Sequence, residues 1–182
     1  ASLNDSSDIL QGQEEILYFN NSPFELTVLY FHLYNKAYTP GSYLTQLQSN
    51  QSQNLRFGKY RKKGLGTEVT SVSQLNQPLK TELDNTILKV YLKQPLKPGA
   101  SVNLSLSFNT YFDREVVQNR MKMFQNGPNK HYDIVHWYPR LAVFDAQRLW
   151  NTDQHLNHEF YGDFGSFHIK LWLPNHFICE GT

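Results

Sequence analysis

The sequence predicts an all-β protein, built as an antiparallel β-sandwich or a set of curved sheets with one or two short helices. Short segments in which apolar and polar residues alternate recur along the chain, and proline and glycine mark the corners between them. No internal repeat is present. With 182 residues, 40% of them apolar and 18% charged, the chain is typical of one globular domain.

The clearest predicted strands are those with strict alternation. Between residues 102 and 109, Val, Leu, Leu and Phe alternate with Asn and Ser, which predicts a half-buried antiparallel strand. Residues 86–92 alternate in the same way, and so does Phe167–Leu173, where Pro174 ends the predicted strand. The segment 26–34 is instead apolar at nearly every position, which predicts burial on both faces, with His32 as a hydrogen-bonded core residue.

The connections between these strands carry weaker signals. Ser42 is a candidate N-cap for a short helix that begins at Tyr43. Residues 48–66 are polar and predict a long exposed loop. That loop contains a basic cluster, formed by Arg56, Lys59, Arg61, Lys62 and Lys63. Residues 1–8 are polar and predict a disordered lead, so residues 9–182 are assigned to a single domain.

Composition argues against several classes of protein. The net charge of +1 gives no global attraction to nucleic acid. No apolar run reaches the length of a membrane-spanning helix, so the sequence predicts no transmembrane segment. The single cysteine, Cys179, allows no intrachain disulfide, and its neighbours Phe177 and Ile178 predict that its side chain is buried.

The sequence offers no catalytic constellation. A zinc peptidase of the gluzincin type needs His-Glu-x-x-His on a helix, so that two imidazoles share one face. His158 and Glu159 begin that pattern, but Gly162 occupies its fifth position. His155 and Asp153 lie close by without a cysteine or a third histidine, so we assign no metal site. Neither a Gly-x-Ser-x-Gly elbow nor a P-loop is present.

Three motifs carry a resemblance to a known family. YFNNSP at 18–23 precedes LYFHLY at 29–34, and LKQPLKPG follows at 92–99. WYPRLAVFD at 137–145 then leads to EFYGDFG at 159–165 and to the alternating segment that Pro174 ends. In this order they resemble the amino-terminal β-domain of bacterial proteins in the aminopeptidase-N family of gluzincin zinc metallopeptidases, over roughly residues 10–182.

The resemblance implies a fold and a function. The family's domain is a saddle of β-sheets that packs on a catalytic zinc domain and closes one side of its cleft. The whole protein would cleave single residues from peptide amino termini, in the periplasm or outside the cell. This chain would be the noncatalytic β-domain, truncated before the zinc domain. Its partners would be that domain and the peptide substrate, and the zinc would belong to the parent protein.

The resemblance also implies site residues. The family's β-domain lends a polar residue to the substrate's amino group just before the Trp-Tyr-Pro-Arg run, where Asp133 and His136 are the candidates here. Neither is the Gln or Glu that is common in the family. Structural or interdomain roles are expected for Trp137, Tyr138, Pro139, Arg140, Asp145, Glu159 and Tyr161. Of these, Arg140 and Asp145 could pair and hold a turn.

A second hypothesis comes from a different class of protein. Aromatic residues make up 14% of the chain and concentrate between residues 136 and 182. Exposed aromatic side chains can bind protein or carbohydrate, so the chain could be an independent β-sandwich binding module. A shallow row of coplanar rings would favour this hypothesis, whereas one contiguous apolar face would favour docking on another domain.

Overall fold

The computed structural model of the protein describes residues 1–114, 121–156 and 160–181. Within these ranges the chain consists mainly of strands, with helical structure confined to connections. The strands are β1 (Ser2–Asn4), β2 (Ile9–Phe19), β3 (Leu26–His32), β4 (Thr67–Gln74), β5 (Gln77–Pro78), β6 (Thr81–Asp84), β7 (Ile87–Leu96), β8 (Ser101–Tyr111), β9 (Lys122–Asn126), β10 (Asn129–Asp133), β11 (Arg140–Leu141), β12 (Phe144–Asp145) and β13 (Leu149–Trp150). The helix α1 spans Tyr43–Asn50, and 3₁₀ turns lie at Tyr34–Tyr38 and Arg61–Lys63.

Two antiparallel sheets form the body of the protein. The first has the strand order β1-β2-β8-β4-β5, and the second has the order β11-β3-β7-β6. The longest pairing joins β2 and β8, from Ile9 opposite Tyr111 to Phe19 opposite Ser101. Two further hairpins, β9–β10 and β12–β13, follow later in the chain.

The main core lies between the two sheets. Its buried side chains come from β3, the residue after it and β7 on one side, and from β4 and β8 on the other, so the sheets pack face to face. They are Leu26, Leu29, Phe31, Leu33, Val72, Leu88, Val90, Leu96, Val102, Leu104 and Leu106. The predicted all-β, sandwich-like fold is therefore confirmed.

A second buried cluster lies at the β1 end of the first sheet. It consists of Leu3, Leu10, Phe112, Met121 and Met123. Half-buried apolar side chains from the later part of the chain pack on it, among them Trp137, Leu173 and Phe177. This cluster is where the C-terminal part of the chain meets the sandwich.

Three local predictions are confirmed by burial or by specific contacts. The alternation at residues 102–109 becomes β8, whose inward side chains, from Val102 to Phe108, are at most 6% exposed. Ser42 caps α1, because its side chain accepts a hydrogen bond from the Thr45 amide at 3.2 Å. His32 is a core residue, 2% exposed, as predicted.

The expected disordered lead at residues 1–8 is wrong. Ser2–Asn4 form β1, which pairs antiparallel with β2. The Leu3 side chain is buried in the second cluster, and the Asp8 carboxylate accepts hydrogen bonds from Lys130 and Tyr132. The polar composition of residues 1–8 suggested disorder, but Leu3 is buried and Asp8 is both buried and hydrogen-bonded. These two side chains hold the segment in place.

The strand predicted at Phe167–Leu173 is also largely wrong. The segment meets the first sheet through a parallel bridge between Trp172 and Ser2 and through a hydrogen bond from the Ala1 amino group to the Lys170 carbonyl. Phe167 and Trp172 remain 63% and 60% exposed. Alternation produces burial only where another layer covers the apolar face, and here the contacts of Tyr138 with Phe167 and of Leu173 with the second cluster leave Phe167 mostly exposed.

Two predictions about burial are wrong as well. Arg61 belongs to the basic cluster expected in the exposed loop, yet it is 1% exposed and packs 5.7 Å from the Tyr38 ring centre. The Asp113 carboxylate accepts the backbone amides of Tyr60 and Arg61, which turns this part of the loop inward. Cys179 is exposed and not buried, because its segment extends beyond both cores.

Candidate functional site

A cleft of about 330 Å³ opens at the end of β3 and is the best candidate for a site. Its wall combines aromatic rings, two histidines and one carboxylate. The lining residues are His32, Tyr34, Asn151, Asp153, Gln154, His155, Leu156, Phe160 and Tyr161. We call it the aromatic cleft.

Two parts of the chain build the aromatic cleft. His32 ends β3, and Tyr34 begins the 3₁₀ turn that follows. The loop after β13 supplies the opposite wall and is held by Gln154, whose Oε1 accepts the Thr86 amide at 3.0 Å and the Thr86 hydroxyl at 2.6 Å. The Gln154 amide donates in turn to the Asp84 carbonyl at 3.0 Å. This side chain therefore fixes the loop against the second sheet.

Tyr34 is the centre of an aromatic cluster beneath the cleft. The His32 ring stacks on it with centroids 5.0 Å apart and planes 7° from parallel. Phe160 and His155 meet Tyr34 edge-on at 4.6 and 5.6 Å. Burial raises the pKa of the Tyr34 hydroxyl, which keeps it neutral at physiological pH. The centre of the wall is therefore aromatic and uncharged.

His32 is held neutral. Its Nε2 lies 3.1 Å from the Asn151 carbonyl oxygen, and because a carbonyl only accepts, Nε2 must carry the hydrogen. Burial lowers the pKa of His32 to about 4, although the Asn151 bond opposes this shift. Nδ1 therefore carries a lone pair, and this buried atom has no hydrogen-bond partner among the residues that the structure describes.

His155 and Asp153 give the cleft its polar side. The His155 ring is 8% exposed, stacks on Phe160 at 4.8 Å and is joined to the Tyr38 hydroxyl by a 3.1 Å hydrogen bond through Nε2. Asp153 is exposed, and its carboxylate accepts the Asn151 amide at 3.0 Å. A carboxylate beside several aromatic faces can hold a cationic group.

The structure places the two candidate substrate-binding residues apart. The His136 ring lies over Phe160, with centroids 3.7 Å apart, and meets Tyr34 edge-on at 5.2 Å. His136 therefore joins the aromatic cluster, with a left-handed backbone (φ 52°). Asp133 ends β10 and pairs with the exposed His131 at 2.9 Å, away from the residues that line the cleft.

Three residues of the Trp-Tyr-Pro-Arg run support the fold locally. Trp137 packs 6.0 Å from Phe108, and its carbonyl accepts the Thr110 hydroxyl at 2.6 Å. Pro139 is buried. Tyr138 meets Phe167 edge-on at 6.2 Å, and burial raises the pKa of its hydroxyl. The contacts described for Trp137 and Tyr138 are with residues of this same chain.

Arg140 and Asp145 have separate roles. Arg140 pairs with His32 in β11, and its guanidinium lies against Gly162, where an added Cβ would overlap it. The Asp145 carboxylate accepts the amides of Gln147 at 2.7 Å and Arg148 at 3.2 Å and so closes the β12–β13 turn. No ion pair joins Arg140 to Asp145 among the described side chains, so the expected pairing is wrong.

The remaining predicted residues lie at the edge of the cleft or outside the described ranges. Tyr161 is 55% exposed and lines the cleft. Glu159 falls outside the described residues, as does His158. Sequence reasoning missed Tyr34, because nothing in the sequence distinguishes a tyrosine in an apolar run from any other core aromatic residue. Its partners at 136, 155 and 160 are more than a hundred residues away and meet it only through the fold.

The described ranges contain no group of three His, Cys, Asp or Glu side chains arranged for a metal ion. No helix in those ranges is long and apolar enough to cross a membrane. Comparison of the chain with family models, with curated proteins and with solved structures found no match.

Proposed function

We propose that this chain is the noncatalytic β-domain of an exported zinc aminopeptidase. In this proposal it packs on the zinc domain and forms one wall of the cleft that receives the peptide's amino terminus. The family resemblance supplies the starting hypothesis, and the exposed surface of the chain supports it. Zinc would be held by the other domain, because residues 158–162 lack the second histidine of the gluzincin motif.

One observation carries the proposal. Large apolar side chains that are more than half exposed concentrate on the last described stretch of the chain. Of ten such described residues, the six in this stretch are Tyr161, Phe164, Phe167, Ile169, Trp172 and Ile178, and the other four are Leu17, Phe19, Leu75 and Leu149. Phe164 is fully exposed and Ile178 is 89% exposed. Exposed large apolar side chains grouped in one stretch of a chain mark a candidate interaction site on soluble proteins, and another domain is the simplest cover for them.

The aromatic cleft supports the second half of the proposal. A peptide amino terminus is a primary ammonium, which binds carboxylates by charged hydrogen bonds and aromatic faces by cation–π attraction. Asp153 offers the carboxylate, and Phe160 and Tyr161 offer rings on the same wall. His136, the candidate taken from the resemblance, packs directly on Phe160. The chain's role is to position and orient, and no step of hydrolysis is assigned to it.

A binding experiment with the zinc domain tests the docking. We would express the His-Glu-x-x-His domain encoded by the same gene and titrate it with this chain by calorimetry. Phe164→Ser and Ile178→Ser should each weaken binding by about tenfold, as loss of a buried apolar anchor does. Leu75→Ser is the matched control, because Leu75 is 83% exposed in the β4–β5 turn. A gene without such a domain, or equal affinities for all variants, would overturn the proposal.

The exposed aromatic rings are the observation that favours the second hypothesis, an independent binding module. Tyr161 and Phe164 lie beside Phe167 and Trp172 in the chain, and all four are exposed. A sugar platform needs exposed rings that lie in one plane. Calorimetric titration with short oligosaccharides separates the two functions. Saturable sugar binding that is lost in Trp172→Ser would favour the module.

A further inference from the structure

Arg140 brings a positive charge beside the wall of the aromatic cleft. It lies opposite His32 in the β3–β11 pairing, and residues directly opposite each other in an antiparallel pair project their side chains from the same face of the sheet. His32 lines the cleft. The Arg140 guanidinium occupies the space that a Cβ on Gly162 would fill, and Gly162 directly follows Tyr161, another residue of the cleft wall. Two neighbours of Arg140 therefore belong to the cleft or adjoin it.

This guanidinium has no carboxylate partner among the described residues. Arg140 is half-buried, and none of the ion pairs between described side chains includes it. A guanidinium carries five N–H donors in a rigid fork, which matches a carboxylate through two parallel hydrogen bonds. Arg140 is therefore suited to a carboxylate that a ligand supplies.

The cleft also contains a negative group. Asp153 lines it with an exposed carboxylate, and no described ion pair includes Asp153 either. Both charges act on His32: burial lowers the pKa of His32 to about 4, Arg140 reinforces this shift, and Asp153 opposes it. A cation and an anion thus lie near the same neutral ring without pairing with each other.

We propose that the aromatic cleft binds a ligand that carries both a primary ammonium and a carboxylate, with Asp153 holding the ammonium and Arg140 holding the carboxylate. The inference rests on the proposed function, in which this cleft receives the amino terminus of a peptide. Two sources have the required chemistry. One is a peptide whose first residue is acidic, and the other is the free amino acid that hydrolysis releases.

NMR titration of the intact chain with matched ligands tests this inference. Glutamyl-alaninamide carries both groups, whereas glutaminyl-alaninamide has the same size and lacks the carboxylate. The first should bind about tenfold more tightly, because only it can form the paired hydrogen bonds to Arg140. Free alanine represents the released amino acid. Binding of alanine that depends on Arg140 would assign the cleft to that product.

Three variants locate the carboxylate site. Arg140→Gln should remove the preference, so that the two dipeptide amides bind equally. Arg140→Lys keeps the charge without the fork and should retain part of the preference. Arg148→Gln is the matched control, because it removes an arginine from the exposed β12–β13 turn, and it should keep the whole preference. Circular dichroism of all three variants should match the wild type.

Equal binding of the two dipeptide amides to the wild type, or a preference that survives Arg140→Gln, would overturn the inference. So would a preference that appears only in Glu159→Gln, because Glu159 would then occupy Arg140. If both amides bind equally and Asp153→Asn weakens both, the cleft receives an amino terminus and only the carboxylate site is wrong. If no ligand binds, both halves of the inference fail. Docking on the zinc domain is decided separately, by the titration of Phe164→Ser and Ile178→Ser.

Discussion

Two segments of this chain have the same alternating apolar pattern, and only one is buried. In β8, the residues from Val102 to Phe108 that face inward are 1–6% exposed, and the strand is paired with β2 on one side and β4 on the other. In Phe167–Leu173, Phe167 and Ile169 are 63% and 60% exposed, and only one side is paired, to β1. Alternation determines which side chains share a face. Burial depends on a second layer that covers that face.

Removing one phenylalanine from each segment should give the largest difference. Phe108→Ala should lower the free energy of unfolding by about 3–5 kcal/mol, because Phe108 is 2% exposed and its loss leaves a cavity. Phe167→Ala should lower it by less than about 0.5 kcal/mol, as surface changes do. Urea denaturation measures both. Equal losses would mean that the C-terminal segment is as well packed as the sandwich.

Adding a methyl group at one glycine in each region should give a smaller difference. A Cβ at Gly12 in β2 would overlap the ring of Phe108, so Gly12→Ala should cost about 1–3 kcal/mol of stability. A Cβ at Gly165 would lie 3.6 Å from the Phe167 ring, an ordinary contact, so Gly165→Ala should be almost neutral. Thermal unfolding of both variants compares them. A neutral Gly12→Ala would show that the Phe108 ring moves aside easily.

Measured over one pH unit, the dependence of stability on pH should give the smallest effect of the three. Burial raises the pKa of Glu14, on the inward face of β2, from 4.5 to about 8, so the folded state holds a proton that the unfolded state releases. Stability should therefore fall as pH rises from 4.5 to 8, by at most about 1.4 kcal/mol per pH unit. Glu14→Gln should remove this slope in chemical denaturation measured across the range.

Glu15→Gln is the matched control for that experiment. Glu15 lies next to Glu14 on the exposed face of β2, where its carboxylate accepts the Ser105 hydroxyl at 2.7 Å. The control removes a carboxylate from the same strand without changing the inward face. Parallel stability curves for the wild type and Glu14→Gln would contradict the prediction.

Sequence patterns predicted those parts of the fold whose pairing partner lies near in the chain or whose sequence signal, such as alternation or a helix cap, is local. The alternation of β8 and the Ser42 cap of α1 are of this kind. The same reasoning failed at residues 1–8, where Leu3 and Asp8 are held by residues more than a hundred positions away. It also failed for Arg61, because burial of a charged side chain depends on tertiary neighbours such as Tyr38 and Asp113.

The candidate site was less predictable than the fold. His136 was identified through the resemblance, and the structure places it in the aromatic cluster. Asp133 was identified in the same way, and the structure places it outside the cleft, since β10 ends beside His131. The contact between Tyr34 and His155 could not have been predicted from sequence alone. Their ring contact spans 121 positions and depends on the Gln154 bonds that hold the loop after β13.

The uneven placement of the three tryptophans gives the protein a built-in optical probe. Trp137 packs on Phe108, and Trp150 packs on Tyr18, Tyr30 and Phe144, so both indoles are partly buried. Trp172 is 60% exposed on the C-terminal segment and should dominate the red side of the emission spectrum. Any partner that covers this segment would shift that emission to the blue. Intrinsic fluorescence can therefore follow binding to this segment without a label.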